Sequence, residues 1–497
     1  MNIDGRTIAR PLSRSADVVV IGSGPAGSAA AREASRLGAR VIVVEAGLWH
    51  APTDFPLSAF DAMRAMYRDM GASVMLGPSP IPYLQGRMVG GSAPINGAIC
   101  WRLPRDVHEA WCAADPALRQ ALDWEIIEAV TDEIEARIGV APTPPHLAGT
   151  KNLLMARGAE ALGLEHRPIR RNVRGCEGLG RCLQGCPKGA KQSPDITLLA
   201  DAVERDAIVI SATEVDAIEV RAGRAWRVVG TAQGGGAVSI EARKAVIVAA
   251  SAIQTPHLLL ASGINHGPVG HNLQCHPGVS MAGRFTEPVR MWEGATQGHE
   301  VIGLRAEGLK FEALGFGLAI LGARMHGLGG PLSQELAQMA HWADWGVAVR
   351  AQGRGRVRRL GRTGPIVTWS PTAEDLGRFR RGLAVLGALF FAAGAREVLP
   401  GVKGFAPRVE RPEVIAAIER EGPRSARAFT SAVTHMFGTC RMGSDPASSV
   451  VRPDFRHHAL EGLYLADSSV FPTNLGVNPQ VPIMALATLC ARRAMGA

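Results

Sequence analysis

One stretch near the start limits the fold more than any other. An apolar run, Val18–Ile21, leads into Gly22-x-Gly24-x-x-Gly27, and an alanine-rich segment follows, GSGPAGSAAAREASRLG. A strand, a glycine turn and a helix in that order make a pyrophosphate loop. The first glycine permits the tight turn, the second lets backbone approach phosphate, and the third lets the helix pack on the sheet. The helix amides then face the phosphates. Residues Ala39–Glu45 read as the next strand, and Glu45 ends it 18 positions after Gly27, where a carboxylate can accept hydrogen bonds from both ribose hydroxyls. The pattern predicts a parallel βαβ unit of an α/β dinucleotide-binding fold. Alone, it does not separate NAD from FAD.

A chain of 497 residues exceeds what one hydrophobic core usually serves, so at least two domains are expected. Residues 207–250 read as antiparallel strands that lead back into the parallel sheet, with Gly234–Gly236 in a hairpin-like turn. Residues 285–430 change character: they carry Trp, Met and Arg, strand-like runs (LGFGLAILGA, WGVAVRAQG, GPIVTWS) and a helical stretch over Asp375–Ala392. They read as a separate antiparallel sheet backed by helices. From about Ser431 the chain returns to glycine-rich turns, the strand LEGLYLADSSV and a final helix over Ile483–Ala494. The nucleotide domain is thus assembled from separated stretches with a second domain inserted. The net charge of +9 is scattered. The cluster Arg354–Arg362 reads as a solvated edge strand in preference to a nucleic-acid or membrane surface, and no nucleic-acid partner is expected. No run reaches the roughly 18 apolar residues needed to span a bilayer. With no signal-peptide core at the N-terminus, a cytoplasmic protein is expected.

Four further blocks narrow the reading: GRMVGGSAPINGAI (86–99), ASAIQTPHLLLASGI (250–264), HMFGTCRMG (435–443) and GLYLADSSVFPTNLGVNPQVP (462–482). In this order they resemble the glucose-methanol-choline (GMC) oxidoreductase family. One departure is Asn265, where the family prefers Gly, a turn position with no chemical role. The resemblance implies a Rossmann-like FAD-binding domain over 1–284 and 431–497, including a Cys-rich segment at 171–195. It also implies an inserted α+β substrate domain over 285–430 built on an antiparallel sheet. Its implied FAD contacts are Gly22, Ser23, Gly24, Gly27, Glu45, Ala46, Val89, Gly90, Ser92, Asn96, Gly97, Ala98, Val215, Asp467, Pro479 and Gln480. Asp467 would bond the ribityl hydroxyls and Val215 backbone would meet the adenine. Some family members attach flavin through a His before the Asn96 position. Here that residue is Ile95, so non-covalent FAD is expected.

The resemblance places the chemistry on His435 and Asn478. Oxidising an alcohol requires that the hydroxyl proton be removed while the carbinol hydride leaves for flavin N5. An imidazole is the natural base for that proton. Asn478 would hold the substrate oxygen and orient its C–H bond, and a helix beginning after Pro479 would turn its positive end to the flavin. His276 resembles a structural position beside the FAD and is given no catalytic role. A lyase that keeps FAD as a structural part, or a light-driven decarboxylase, is the alternative on this fold. An NAD-linked reductase needs a second glycine fingerprint, and the sequence has none.

Cys176, Cys182 and Cys186 in GCEGLGRCLQGCPKGAKQS have a spacing related to iron–sulfur ligation. They also resemble a segment of certain GMC dehydrogenases that hold such a cluster. Those carry adjacent cysteines where this chain has Cys176-Glu177. Reduced cysteines or a local disulfide are the other reading, and no metal ligands are assigned. The expected partner is a small-molecule alcohol, with dioxygen or a redox carrier as electron acceptor. Met291, Trp292, Trp342 and Trp345 would suit an apolar or ring-shaped alcohol, though such residues more often build a core.

Overall fold

The fingerprint strand, Leu12–Ile21, is buried through its apolar half and lies between two parallel neighbours, Val41–Val44 and Ala237–Val248. Burial on both faces is what a continuous Val/Ile run supplies in a parallel sheet. The computed structural model describes residues 1–497 apart from 316, 318–321, 323, 324, 326, 362 and 363. Beyond Val41–Val44 the sheet continues through Ile208–Ser211 to Asn2–Asp4, all parallel. On the other side Ala237–Val248 meets two partners. Its first half pairs antiparallel with Arg224–Ala232, which pairs with Thr213–Arg221, and its last residues pair parallel with Leu463–Leu465. One sheet therefore draws on the start, middle and end of the chain. Helix Pro25–Arg36 is buried through Ala29, Ala30, Ala31 and Ala34, and these small side chains let it lie close to its neighbours. The final helix, Gln480–Met495, packs against it, tied by Arg492 to Glu33 at 2.6 Å.

A second sheet is antiparallel throughout. Its order is Glu397–Leu399, Gln274–Arg284, Trp342–Val349, Leu309–Leu314, His299–Val301 and His166–Pro168, with Ala432–Phe437 also paired to Gln274–Arg284. Helix Ala373–Ala392 covers it, opened by a capping box between Thr372 and Asp375. Trp345 stacks on Phe390 with ring centroids 3.9 Å apart. A Cβ on Gly283 would strike the Phe390 ring at 2.3 Å, so the strand must carry glycine there. Three of the strands, His166–Pro168, Gln274–Arg284 and Ala432–Phe437, lie outside the expected 285–430 insert. The run Gln274–Arg284 alternates small, polar and apolar residues, which hides its continuity with the second sheet. Of LGFGLAILGA, Leu314 ends a strand, and most of the rest lies outside the described residues. Arg356–Arg359 pairs with Pro365–Thr368 in a two-stranded ribbon that exposes Arg356, Arg358 and Arg359 and buries Val357 and Val367, while Arg362 is outside the described residues. Among the described residues no helix is long and apolar enough to cross a membrane.

Candidate active site

A cavity of about 1380 Å³ runs from the fingerprint turn to the second sheet. At one end Gly22 has φ of +94°, and a Cβ there would meet Ala249 O at 2.5 Å. Gly27 is enforced by the turn itself, since its Cβ would lie 1.8 Å from Gly22 O. Gly24 differs. Its Cβ would meet nothing nearer than Gly91 Cα at 3.8 Å, and the residue faces the cavity. No side chain caps the helix that starts at Pro25, so its first N–H groups are left for something in the cavity. Beside them Glu45 is buried. Its Oε2 accepts from Ser23 N–H at 2.9 Å and Ser23 Oγ–H at 2.8 Å, and its Oε1 from Gly47 N–H at 2.9 Å. Burial pushes the Glu45 carboxyl up, against the pull of these hydrogen bonds. Farther along, Asp467 Oδ2 accepts from Ser251 N–H at 3.0 Å and from the Thr255 hydroxyl, and its Oδ1 from Ser469 N–H at 2.7 Å.

At the other end His435, on strand Ala432–Phe437, stands beside His276, on strand Gln274–Arg284. Their Nδ1 atoms are 3.3 Å apart and the rings meet edge to face. His276 Nε2 accepts from Gly476 N–H at 2.8 Å. That bond assigns the His276 ring proton to Nδ1, so His435 Nδ1 accepts and the resting His435 ring carries its proton on Nε2. Burial, then the Lys310 cation, push His435 down to about 3. Asn478, two residues after Gly476, borders the same space. Its Oδ1 accepts from Lys310 Nζ at 3.0 Å. The roof over this end is built from small residues of the antiparallel sheet, Gly278, Ser280, Gly346 and Ala348. The final helix begins here at Gln480, again with no side-chain cap.

Comparison with known proteins decides the family. The GMC oxidoreductase family matches over residues 17–278 in its N-terminal part and 351–487 in its C-terminal part. An uncharacterised GMC-type oxidoreductase of Sinorhizobium fredii is 33% identical over 99% of this chain and 97% of its own length. The chain belongs to the GMC oxidoreductase family. A second GMC-type oxidoreductase, from Mycobacterium tuberculosis, is 34% identical over 96% of this chain and 75% of its own. A long-chain-alcohol oxidase of Arabidopsis thaliana is 28% identical over 98% of this chain and 69% of its own. Among solved structures, formate oxidase of Aspergillus oryzae superposes with a TM-score of 0.72 at 14% identity, covering 97% of this chain and 98% of that one. At that identity the likeness speaks for the fold.

GMC membership makes FAD the cofactor and the protein an oxidoreductase, and the cradle fits that group. Gly24 is a glycine for which the protein itself has no steric need, and two helices aim uncapped N-termini into one cavity. Of the residues anticipated from sequence, Gly22, Gly24, Glu45, Ala46, Ser92, Asn96, Gly97, Val215, His435, Asp467, Asn478, Pro479 and Gln480 line it. Ser23, Gly27, Val89, Gly90 and Ala98 lie behind. Ser23 Oγ accepts Gly90 N–H at 3.1 Å and so joins the turn to the second glycine block. The Asn96 side chain is taken up inside the protein: its Oδ1 accepts from Ala98 N–H at 2.7 Å and its Nδ2 donates to Gln480 Oε1 at 3.0 Å. Trp292 borders the cavity, whereas Met291, Trp342 and Trp345 are core residues of the second sheet. The three clustered cysteines stand as free thiols. Cys182 Sγ accepts from Arg171 at 3.1 Å, and the cations of Arg171 and Lys191 outweigh burial to hold its thiol below the usual value.

Sequence reasoning missed the charged network beneath Asn478. Lys310 is buried, 2.7 Å from Glu300 Oε2, and also bonds Glu312 and Asn478. Glu300 is held in turn by Arg167 at 2.8 Å and by the indole N–H of Trp101 at 2.8 Å, and Glu312 accepts from Gln297 Nε2 at 2.6 Å. The one available signal was Lys310-Phe311-Glu312, a charged pair on one face of a strand. It also missed Lys191, whose Nζ donates to Pro94 O, Asn96 O and Cys182 O and pins the loop that carries Asn96.

Proposed function

We propose that this protein oxidises an alcohol, CH–OH to carbonyl, with His435 as the base for the hydroxyl proton and Asn478 as the donor to the substrate oxygen. One observation carries the reading: His276 meets His435 through Nδ1 and accepts the Gly476 N–H through Nε2, two residues before Asn478, and His435 and Asn478 border one cavity. FAD held in this cradle would supply the two-electron acceptor for the hydride that leaves the carbinol carbon. His435 is held uncharged near neutral pH by burial and by Lys310, so the ring does not already carry the proton it must accept. Its resting tautomer carries the ring proton on Nε2, so the 3.3 Å contact to His276, near the long limit for a hydrogen bond, must part before His435 accepts. Asn478 donates through Nδ2 because its Oδ1 is occupied by Lys310. The uncapped start of helix Gln480–Met495 favours negative charge beside it. In this reading 285–430, with the strands that join their sheet, form the substrate side, and the remainder of 1–284 and 431–497 holds non-covalent FAD. Dioxygen or a redox carrier takes the electrons onward. The test is anaerobic addition of primary and secondary alcohols to the FAD-loaded protein. Loss of the oxidised flavin absorbance with some alcohols supports the reading. An unchanged spectrum with every alcohol refutes it and favours a lyase or light-driven reaction.

A further inference from the structure

Lys310 does not line the cavity, and its cation reaches His435 only through its field. A lysine cation that is 1% exposed is costly to bury. Two carboxylates, Glu300 and Glu312, receive it, and Arg167 balances the second negative charge. These four side chains close on themselves as two cations and two anions, so pairing alone would need no further partner. Yet Lys310 Nζ keeps one donor for Asn478 Oδ1, at 3.0 Å and 168 residues away in sequence. An asparagine amide has one accepting end and one donating end, and its orientation is set by what meets each. A fixed cation on Oδ1 leaves Nδ2 as the end offered to the cavity that Asn478 borders.

We infer that Lys310 is a positioning residue: held by Glu300 and Glu312, it locks the Asn478 amide so that Nδ2–H, never Oδ1, faces the substrate oxygen. The inference rests on the proposed alcohol oxidation and adds a residue from the second sheet to it. Without Lys310 the amide turns freely between a donor that binds the substrate oxygen and an acceptor that repels it. Strand Leu309–Leu314 thereby makes catalysis on the FAD side depend on one hydrogen bond, from Lys310 to the turn that precedes the final helix.

The test is a double-mutant cycle on the FAD-loaded enzyme. Lys310→Met alone would leave a surplus buried carboxylate and risks misfolding, so the working variant is Lys310→Met with Glu312→Gln, which keeps the Arg167–Glu300 pair neutral overall. It is combined with Asn478→Ala. Bound flavin absorbance and melting temperature report the fold, and anaerobic flavin reduction by an alcohol that bleaches the parent reports the limiting reduction rate and the apparent Kd of the alcohol. The charge-balanced variant is expected to lower the limiting reduction rate about 10- to 100-fold, the range for losing a hydrogen bond to a developing charge, with the apparent Kd changed less than about threefold. In the Asn478→Ala background the same change is expected to have no further effect. Multiplying effects in the two backgrounds, or a parental rate in the charge-balanced variant, would overturn the positioning role while leaving alcohol oxidation standing. A parent that no alcohol bleaches would overturn both.

Discussion

Lowering the pH tests His435 without touching the protein. An ordinary histidine titrates near 6.5, so at pH 5 it would be about 97% protonated, and a base of that kind would work roughly 30-fold more slowly than at pH 8. Burial and Lys310 push His435 down to about 3. At that value only about 1% of the ring is protonated at pH 5, and the loss of base is too small to measure. The assay is the limiting rate of anaerobic flavin reduction by a saturating alcohol between about pH 5 and 8, with circular dichroism at each pH to show that the fold persists. The account expects a flat profile across that window. A falling limb with a midpoint between about 6 and 7 would refute it, because the proton acceptor would then be a solvated group and not His435 in its observed surroundings.

Other outcomes follow from the same geometry. Gly24→Ala should leave the apoprotein's melting temperature nearly unchanged, since nothing in the protein lies nearer than 3.8 Å to the added Cβ. It should weaken FAD binding by about a hundredfold, ~2.7 kcal/mol, measured by fluorescence titration. Gly27→Ala should do the reverse and lower the stability of the apoprotein by about 1–3 kcal/mol, because the new methyl meets Gly22 O at 1.8 Å. His299 and His457, each brought to about 4 by burial and a neighbouring histidine, and His276, held well below its ordinary value, stay neutral when folded. Unfolded, each binds a proton below about 6.5. Stability present above that pH should therefore fall as the pH drops towards 4, by up to about 1.4 kcal/mol per pH unit for each histidine. Urea unfolding at stepped pH measures it, and a constant midpoint from pH 7 to 4.5 would contradict it.

The parts legible in the sequence are those where local sterics leave one solution. Gly27 is dictated by Gly22 O of its own turn and Gly22 by Ala249 on the neighbouring strand's end, so the motif marked the βαβ unit and one end of the cavity together. His435 and Asn478 were singled out by the company they keep in HMFGTCRMG and VNPQVP, and both border the cavity. What escaped depends on residues distant in the chain. Lys310 reads as an ordinary strand lysine until Glu300 and Asn478 fold onto it. Asn96 was expected at the flavin, and it does border the cavity, but the use of its side chain to hold Ala98 and Gln480 could be seen only in three dimensions. The pairing of Gln274–Arg284 was hidden for a similar reason: its partners are Ala432–Phe437, Trp342–Val349 and Glu397–Leu399, none of which is adjacent in sequence.

The central claim is that His435 takes the hydroxyl proton of an alcohol whose hydride goes to FAD. The most direct measurement is single-turnover anaerobic flavin reduction by one oxidisable alcohol, comparing the parent with His435→Ala at matched FAD content. The account predicts that the parent bleaches and that the variant, with FAD still bound, bleaches at least about a hundredfold more slowly. Equal rates in the two proteins would contradict it.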